Sequence, residues 1–348
     1  MIGAVVGLVV AVVGGLVILR FLFGLVATAT QRSAPATGDN ALCSVLEDAR
    51  DRHTRRFAVA VVEPASARPI RIATVGCSAD DVFEIGSVSK AVTGMLLADA
   101  EERGELSMSD PIEDVLPELA GRPIGRVAIS ALGEHRSGLP RLPFSPRVVA
   151  ASLGYGILGL NPYAGQDVSS VIGAAGRCRL RSPVTTAYSN LGGALAGAVL
   201  ERATASSYPD LVQQRLVAPL GLTHTSARPD AARRHGFTRW GQWVQPWRLG
   251  GYAPAGGVTS SIDDLATLAA ALLRDAAAGA RSIHRDDCFW VRERTPDGEP
   301  VTWHNGMTGG CAAYLGLRPT RARAVVVLSN VADMRLISRI AGSVASTE

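Results

Sequence analysis

Short strand-like segments at both ends of the chain enclose a long helical middle, and this order limits the possible folds more than any other feature. Apolar and β-branched runs between turn signals predict strands over 57–62 and 70–75, and over 288–292, 301–304, 312–317 and 324–328. Helical spacing or helix-favouring composition predicts helices over 90–104, 168–175, 192–203, 208–216, 262–278 and 336–344. The sequence therefore predicts an α/β (α+β) fold. One antiparallel sheet, from 57–76 and 288–328, is flanked by helices, and the helical middle, 87–280, forms a mostly helical inserted domain.

The first 29 residues are predicted to be a membrane anchor. Residues 2–19 carry no charge, and as a helix they would reach about 27 Å, close to the roughly 30 Å of a bilayer core. The alternative is a signal-like segment, since A-T-A occurs at 27–29, although no positive charge precedes the apolar run. Residues 30–42 are small and polar, which predicts a linker, and 43–348 then form the folded body.

The charged residues exclude some functions and single out one lysine. The formal net charge is +4, but the basic residues are scattered without interleaved aromatic residues, so nucleic acid is not an expected partner. No Cys-x-x-Cys or His/Cys cluster predicts a metal site, and no cofactor is implied. Of the 35 basic residues only Lys90 is a lysine. Lysine can lose its proton where arginine cannot, although a biased composition explains a lone lysine equally well.

The first motif that carries chemistry is Ser87-x-x-Lys90. An apolar-periodic run follows, which places Ser87 at the first turn of a helix and Lys90 on the same face. A helix N-terminus favours negative charge, and a desolvated lysine can accept the proton of a serine that acts as a nucleophile. The alternative interpretation of Ser87 is an ordinary helix N-cap.

The second motif is Tyr188-Ser189-Asn190, at the start of the helix over 192–203. A cationic lysine nearby would lower the pKa of Tyr188, which could then act as a general base or proton relay. The amide of Asn190 can both donate and accept hydrogen bonds to a substrate amide. The structural alternatives are a half-buried aromatic residue and a helix cap.

The third motif is His304-Asn305-Gly306-Met307, at the end of a strand. Glycine permits close approach of a ligand to the backbone, and the N–H of Met307 could pair with that of Ser87 to hold an oxyanion. His304 could bind a carboxylate or polarise a proton network. Its alternative is a strand-edge histidine in a turn.

Together these motifs resemble the serine beta-lactamase and penicillin-binding-protein superfamily, and most closely its class C-like branch. Further stretches also resemble this branch: S-G-L-P at 137–140, P-L-G-L at 219–222, A-G-G-V at 255–258 and V-L-S-N at 327–330. The resemblance covers roughly residues 45–345. It implies a beta-lactamase/transpeptidase-like fold, with 43–348 as the catalytic domain.

The resemblance also implies roles for individual residues. Ser87 is the acyl-accepting nucleophile, Lys90 its proton partner, and Tyr188 the base or the acid for the leaving group. Asn190 and the His304-Asn305-Gly306 segment bind substrate, and the N–H groups of Ser87 and Met307 form the oxyanion hole.

His304 stands where beta-lactamases of this branch carry the lysine of K-T-G, and the sequence departs from them there. The expected function is therefore serine hydrolysis of a peptide or ester through an acyl-enzyme. A class C-like beta-lactamase, an acyltransferase and a catalytically silent binding protein are the alternatives. Family members usually work outside the cytoplasm, which predicts an anchored, extracytoplasmic domain, although Arg20 and Arg32 after the apolar run favour the opposite orientation.

Two further groups of residues leave alternatives open. Cys43 and Cys77 flank the first predicted hairpin and could form a disulfide outside the cytoplasm. Trp240, Trp243 and Trp247 could line an acyl pocket, but core or surface packing explains them equally well.

Overall fold

The computed structural model describes residues 14, 15, 18, 34–49, 56–143, 148, 151, 152, 154, 155, 159–181, 185–228, 236–295 and 298–346. The predicted anchor over 1–29 lies outside these residues except at three positions. Within the described ranges, no helix combines the length and apolarity that crossing a membrane requires. The longest apolar helices have 15 residues, about 22 Å, and their apolar side chains are buried in the protein core. The finding that no described helix could cross a membrane contradicts the predicted membrane location, and the membrane partner and the extracytoplasmic location predicted with it are not retained.

The long strands come from both ends of the chain, as predicted, and short ones also occur in the middle. In chain order they are β1 (Ala36–Gly38), β2 (Phe57–Val62), β3 (Ile70–Val75), β4 (Phe83–Glu84), β5 (Gly236–Thr238), β6 (Trp243–Val244), β7 (Thr259–Ser260), β8 (Val291–Arg294), β9 (Pro300–Met307), β10 (Ala312–Arg318), β11 (Arg323–Ser329) and β12 (Val331–Ala332). The main sheet has the order β1-β3-β2-β11-β10-β9-β8, and every neighbouring pair is antiparallel. The β2–β11 pair joins the two ends of the chain at the centre of this sheet.

The helices lie mostly between β3 and β8. In chain order they are α1 (Asn40–Ala49), α2 (Val88–Glu102), α3 (Ile112–Val115), α4 (Ser130–Gly133), α5 (Val168–Arg177), α6 (Asn190–Thr204), α7 (Tyr208–Val212), α8 (Ala218–Leu220), α9 (Ala253–Gly256), α10 (Ile262–Leu273) and α11 (Met334–Ser346). A π-helical turn, Gln213–Val217, joins α7 to α8, and short 3-10 turns occur at Pro117–Leu119, Gly250–Tyr252, Ala280–His284 and Pro319–Arg321.

Both faces of the main sheet are covered, because the central strands are apolar on both sides. All six residues of β2 are buried, as are all seven of β11. Helices α1 and α11 pack on one face and enclose a smaller core. Helices α2 and α10 contact the other face, and the larger core continues from them into the helical middle. This arrangement, a sheet between helical layers with a helical extension, is the predicted fold class.

Three local predictions differ from the structure. The segment 30–42 is not only a linker, since β1 and the start of α1 lie within it. Residues 288–290 are not a strand, because Phe289 has a φ of +64° and this segment crosses α2, where a Cβ at Gly94 would lie 2.0 Å from the carbonyl oxygen of Cys288. The proposed disulfide between Cys43 and Cys77 is absent.

Candidate active site

Ser87 lies where the chain turns from β4 into α2. Gly86, which precedes it, has a φ of +51°, a left-handed conformation that glycine adopts without strain. Ser87 has helical dihedral angles, φ −67° and ψ −8°, and therefore belongs to the first turn of the helix. The N–H groups of a first turn lack helical partners, and the helix end carries a partial positive charge. The serine hydroxyl is thus placed where a developing negative charge is stabilised.

Lys90 is completely buried one turn after Ser87. Its Nζ lies 3.3 Å from Ser87 Oγ and donates hydrogen bonds to Asn190 Oδ1 at 2.9 Å and to the carbonyl oxygen of Ala255 at 2.6 Å. Burial disfavours the ammonium form. The pKa of Lys90 is consequently held well below its usual range, and the positive charge of Arg141 lowers it further.

Glycines in α6 make room for this lysine. A Cβ at Gly193 would lie 3.1 Å from Lys90 Cε, and a Cβ at Gly197 would overlap the ring of Pro254 at 2.0 Å. Helices α2, α6 and α9 can therefore approach closely, and the run G-G-A-L-A-G within α6 supplies the small side chains that this packing needs.

Tyr188 and Asn190 reach the site from the start of α6. Ser189, between them, caps the helix, and its Oγ accepts the N–H of Gly192 at 2.8 Å. The cap fixes the turn so that the side chains on either side of it reach Ser87 and Lys90. Tyr188 Oη donates a hydrogen bond to Ser87 Oγ at 2.6 Å. Tyr188, Asn190, Ser87 and the buried lysine are therefore brought together, as the motifs predicted.

The pKa of Tyr188 is shifted in the direction opposite to the prediction. Tyr188 is 36% exposed, but the burial of the rest of its side chain raises the pKa of the phenol to about 12. The hydrogen bond to Ser87 and the charge of Arg141 both lower this pKa, but by less. The prediction assumed a cationic lysine beside the phenol. Lys90 Nζ does lie 4.7 Å from the ring centroid, but the pKa of this amine is itself strongly lowered. At neutral pH Tyr188 is a neutral phenol.

The end of β9 crosses the turn that precedes α2. A Cβ at Gly306 would lie 1.9 Å from the carbonyl oxygen of Ile85 and 2.7 Å from the backbone nitrogen of Ser87. A side chain at this position would collide with backbone atoms, so the contact requires glycine. Gly306 thus positions the strand end over the serine.

Met307 presents its backbone N–H to the same turn. Thr308 N–H donates to the carbonyl oxygen of Cys311 at 2.9 Å, so Thr308 and Cys311 form a hydrogen-bonded pair between the two strands. Hydrogen-bonded and non-hydrogen-bonded pairs alternate in an antiparallel sheet, and the next pair, Met307 and Ala312, is therefore non-hydrogen-bonded. The N–H of Met307 therefore points away from β10. A Cβ at Gly86 would lie only 2.6 Å from this nitrogen. Two backbone N–H groups that face one another across a turn can hold an oxyanion.

His304 and Asn305 do not line the cavity over Ser87. His304 is buried, with Nδ1 2.6 Å from the carbonyl oxygen of Asn305, and burial lowers the pKa of this imidazole to about 3. Asn305, on the other face of β9, lines a separate cavity with Trp303 and Tyr314. Neither residue places a cation at the candidate site, although Gly306 and Met307 of the same motif do border it.

The cavity over Ser87 has a volume of about 290 Å³ and aromatic walls. Tyr163 and Trp247 lie edge to face, with ring centroids 5.3 Å apart, and Tyr252 packs against Tyr163 at 5.2 Å. Of the tryptophan cluster only Trp247 lines the cavity, whereas Trp240 and Trp243 are exposed. The walls can therefore accommodate an apolar acyl or leaving group.

Two charged residues at the site were not predicted from the sequence, nor were the wall residues Tyr163 and Tyr252. Arg141 lines the cavity and lies over the ring of Tyr188, with Cζ 5.4 Å from the ring centroid. The only signal was its place directly after S-G-L-P. Glu84 is buried beneath the site, and its two carboxylate oxygens accept the N–H of Trp247 and the hydroxyl of Thr308, each at 2.6 Å. A carboxylate in an otherwise apolar stretch before Ser87 was the available signal there.

Comparisons with known proteins place this chain in a protein family. A family model described as Beta-lactamase matches residues 3–336. "Penicillin-binding protein 4" of Amycolatopsis lactamdurans is 26% identical over 298 residues, 74% of this chain and 74% of that protein. "Beta-lactamase" of Escherichia coli (strain K12) is 32% identical over 192 residues, which are 53% of this chain and 46% of that protein.

Solved structures show the same fold. A class C beta lactamase from Rhodobacter sphaeroides has a TM-score of 0.72 and 22% identity, covering 88% of this chain and 98% of its own. D-alanine carboxypeptidase AmpC from Burkholderia cenocepacia has a TM-score of 0.72 and 22% identity, covering 89% and 98%. The chain belongs to the beta-lactamase family and is a hydrolase of that family.

Proposed function

We propose that the protein hydrolyses a peptide or ester substrate through an acyl-enzyme on Ser87. The observation that carries this proposal is the contact of Ser87 Oγ with both Tyr188 Oη, at 2.6 Å, and the buried Lys90 Nζ, at 3.3 Å. A serine hydroxyl becomes a nucleophile when an adjacent base takes its proton, and this pair of contacts supplies a base and an acid.

Lys90 is the base in this proposal. A neutral amine has two N–H groups and one lone pair. The N–H groups are directed to Asn190 Oδ1 and the Ala255 carbonyl oxygen, which leaves the lone pair for Ser87. The lowered pKa of Lys90 favours this neutral form before the reaction. Asn190 thus orients the base, and its amide remains beside the cavity for contact with substrate.

Tyr188 supplies the proton that the leaving group needs. Its pKa of about 12 keeps the hydroxyl protonated at neutral pH, and the hydroxyl already lies beside Ser87 Oγ. When the scissile bond breaks, the phenol proton passes to the leaving nitrogen or oxygen, and the proton that Lys90 collected returns to the tyrosine. Water, activated by the reverse of these transfers, then hydrolyses the acyl-enzyme.

The N–H groups of Ser87 and Met307 stabilise the tetrahedral intermediate. They approach one another because Gly86 and Gly306 carry no side chains at the crossing of β9 and α2. Removal of one donor from such a site typically costs about 10²- to 10³-fold in kcat.

A peptide or ester is the first candidate because the position of the K-T-G lysine of beta-lactamases is occupied here by His304, which is not a cation. Its imidazole is buried and has a pKa of about 3, so it offers no charge to the carboxylate of a penicillin. The relatives described above include both beta-lactamases and a D-alanine carboxypeptidase, so a beta-lactamase is the second candidate.

Labelling of the full-length protein tests the proposal. The wild type is incubated separately with a fluorophosphonate and a fluorescent penicillin, and adducts are identified by intact mass and peptide mapping. We expect fluorophosphonate on Ser87, no label on Ser87→Ala, and a fall in ester hydrolysis of at least about 10³-fold in that variant. Ser44→Ala, at an exposed serine of α1 on the other face of the sheet, is the matched control.

The outcomes separate the candidates. Rapid turnover of the penicillin would identify a beta-lactamase instead. A long-lived penicillin adduct on Ser87 would favour a peptidase-like site. If neither reagent modifies Ser87 in folded protein, the acyl-enzyme proposal fails, and the silent binding protein becomes the better explanation.

A further inference from the structure

Arg141 places a guanidinium group in the cavity that contains Ser87. Its backbone is held at the start of α6, where its carbonyl oxygen accepts the N–H groups of Asn190 at 3.1 Å and Leu191 at 3.2 Å. Its Cζ lies 5.4 Å from the centroid of the Tyr188 ring. The backbone of this exposed residue is therefore held next to the proposed catalytic residues, and its side chain is always charged.

The described lining of this cavity has no other charged residue. A second cavity, of about 450 Å³, adjoins it and shares Leu142 and Gln166 with it. Its described charged residues are Arg177 and Arg179, again without a carboxylate. The protein as a whole has almost as many acidic as basic residues, 31 against 35, whereas the described charged residues of these two cavities are all arginines.

Among the described residues, Arg141 also lacks a carboxylate partner. Within the described part of the chain, no carboxylate forms an ion pair with its guanidinium, whereas other arginines, such as Arg215 and Arg285, are paired at 2.8 Å or less. A guanidinium is suited to bind a carboxylate through two parallel hydrogen bonds. Its partner is then expected to arrive with the substrate.

We propose that Arg141 is the anion receptor of this site, so that preferred substrates carry a carboxylate close to the scissile acyl bond. The inference rests on the proposed acyl-enzyme chemistry and goes beyond it in assigning the receptor to the loop before α6. His304, the residue at which the resemblance places a substrate-binding group, is buried on β9 and cannot make this contact from the cavity.

Three esters test whether Arg141 is an anion receptor, separately from the acyl-enzyme reaction on Ser87. Phenyl acetate is neutral, the monophenyl ester of succinic acid carries its carboxylate on the acyl side, and 3-acetoxybenzoate carries it on the leaving group. We expect kcat/KM for one of the two anionic esters to exceed that for phenyl acetate by about 10- to 100-fold, a ratio that a charge-assisted hydrogen bond can support. The ester that is preferred shows on which side of the scissile bond the anion binds.

Arg141→Gln is expected to abolish the preference in kcat/KM for the anionic ester over phenyl acetate, mainly through an increase in KM for the anionic ester. Arg141→Lys, which keeps the charge but not the planar fork, is expected to retain part of the preference. Arg126→Gln, at an exposed arginine outside both cavities, is the matched control and should keep all of it.

The results distinguish two failures. If phenyl acetate hydrolysis survives Ser87→Ala, the acyl-enzyme proposal is wrong. If hydrolysis depends on Ser87 but Arg141→Gln keeps the anionic preference, or slows all three esters equally, the receptor is wrong. Calorimetric binding of benzoate to wild type and Arg141→Gln tests the receptor without turnover, and equal affinities would contradict it.

Discussion

Replacement of Lys90 by methionine tests whether burial keeps this amine neutral. A lysine in an unfolded chain has a pKa of about 10.4, and in the folded protein the pKa of Lys90 is well below that range. Between these two values the unfolded state binds one proton more than the folded state. The free energy of unfolding of the wild type therefore rises with pH by about 1.4 kcal/mol per unit, and this contribution is absent from Lys90→Met.

The change of the free energy of unfolding with pH is independent of the other effects of the Lys90→Met substitution. Loss of two hydrogen bonds at Nζ costs about 1 kcal/mol each, but by the same amount at every pH at which the amine is neutral. The pKa values of His135 and His304 are about 4 and 3 in the folded protein, and a histidine in the unfolded chain has a pKa of about 6.5. In both states these histidines therefore titrate below pH 7.5. The chain has no second lysine, and groups common to both proteins cancel in the difference.

Urea unfolding of both full-length proteins at pH 7.5, 8.5 and 9.5 measures the slope. Relative to Lys90→Met, the wild type is expected to gain stability as the pH rises, by up to about 1.4 kcal/mol per unit while the pH lies between the folded and unfolded pKa values of the lysine. Arg126→Met, which removes an exposed cation, should give a constant difference. A constant difference for Lys90→Met as well would mean that the folded protein keeps Lys90 protonated. The assignment of Lys90 as the base would then be refuted.

Three further predictions concern β9 and the segment after it. Gly306→Ala is expected to abolish ester hydrolysis and to destabilise the fold by about 2 kcal/mol or more in thermal unfolding, because its Cβ meets backbone atoms. Gly342→Ala, in open space on α11, should be neutral or stabilising, and equal effects of the two would contradict the packing argument. His304 has a folded pKa of about 3 against about 6.5 unfolded, so wild type should lose about 1.4 kcal/mol per unit relative to His304→Gln as the pH falls below 6.5. Urea unfolding at pH 7.5 and 5 measures this, and a difference that does not change with pH would oppose it. Thr308→Val, which removes a hydroxyl donated to Glu84, should lower kcat about tenfold with KM little changed, and Thr308→Ser should restore it. A rise in KM alone would instead place the hydroxyl in contact with substrate.

The fold could be predicted because its strongest signals are local. The runs at 57–62 and 324–328 are apolar enough to be central strands, and they pair at the middle of the sheet. The edge strand Ala36–Gly38 could not be predicted, since three small or polar residues form a strand only because β3 offers them a partner. The segment 288–290 has strand-like residues but is held out of the sheet by its crossing with α2, which is a tertiary contact.

The site could be predicted only as far as it depends on short spacing. Ser87 and Lys90 meet because they are three residues apart in a helix, and Tyr188 and Asn190 reach them from either side of one helix cap. The burial of His304 could not be predicted, because the alternation of a strand shows which residues share a face and not which face is covered. The raised pKa of Tyr188 could not either, since it results mainly from burial of the phenol, which depends on the tertiary fold.

The charges at the site connect these observations. Burial disfavours the cationic form of Lys90, keeps His304 neutral and keeps the phenol of Tyr188 protonated at neutral pH. Arg141 is then the only permanently charged side chain among the described residues that line the cavity. A proton that moves from Ser87 to the buried amine creates an ion pair where none existed, next to backbone N–H groups that are already oriented toward the oxyanion. Arginine could not replace Lys90 in this step, because its guanidinium does not give up a proton under these conditions. A chain that uses arginine at every other basic position therefore has a chemical reason to keep lysine at this one.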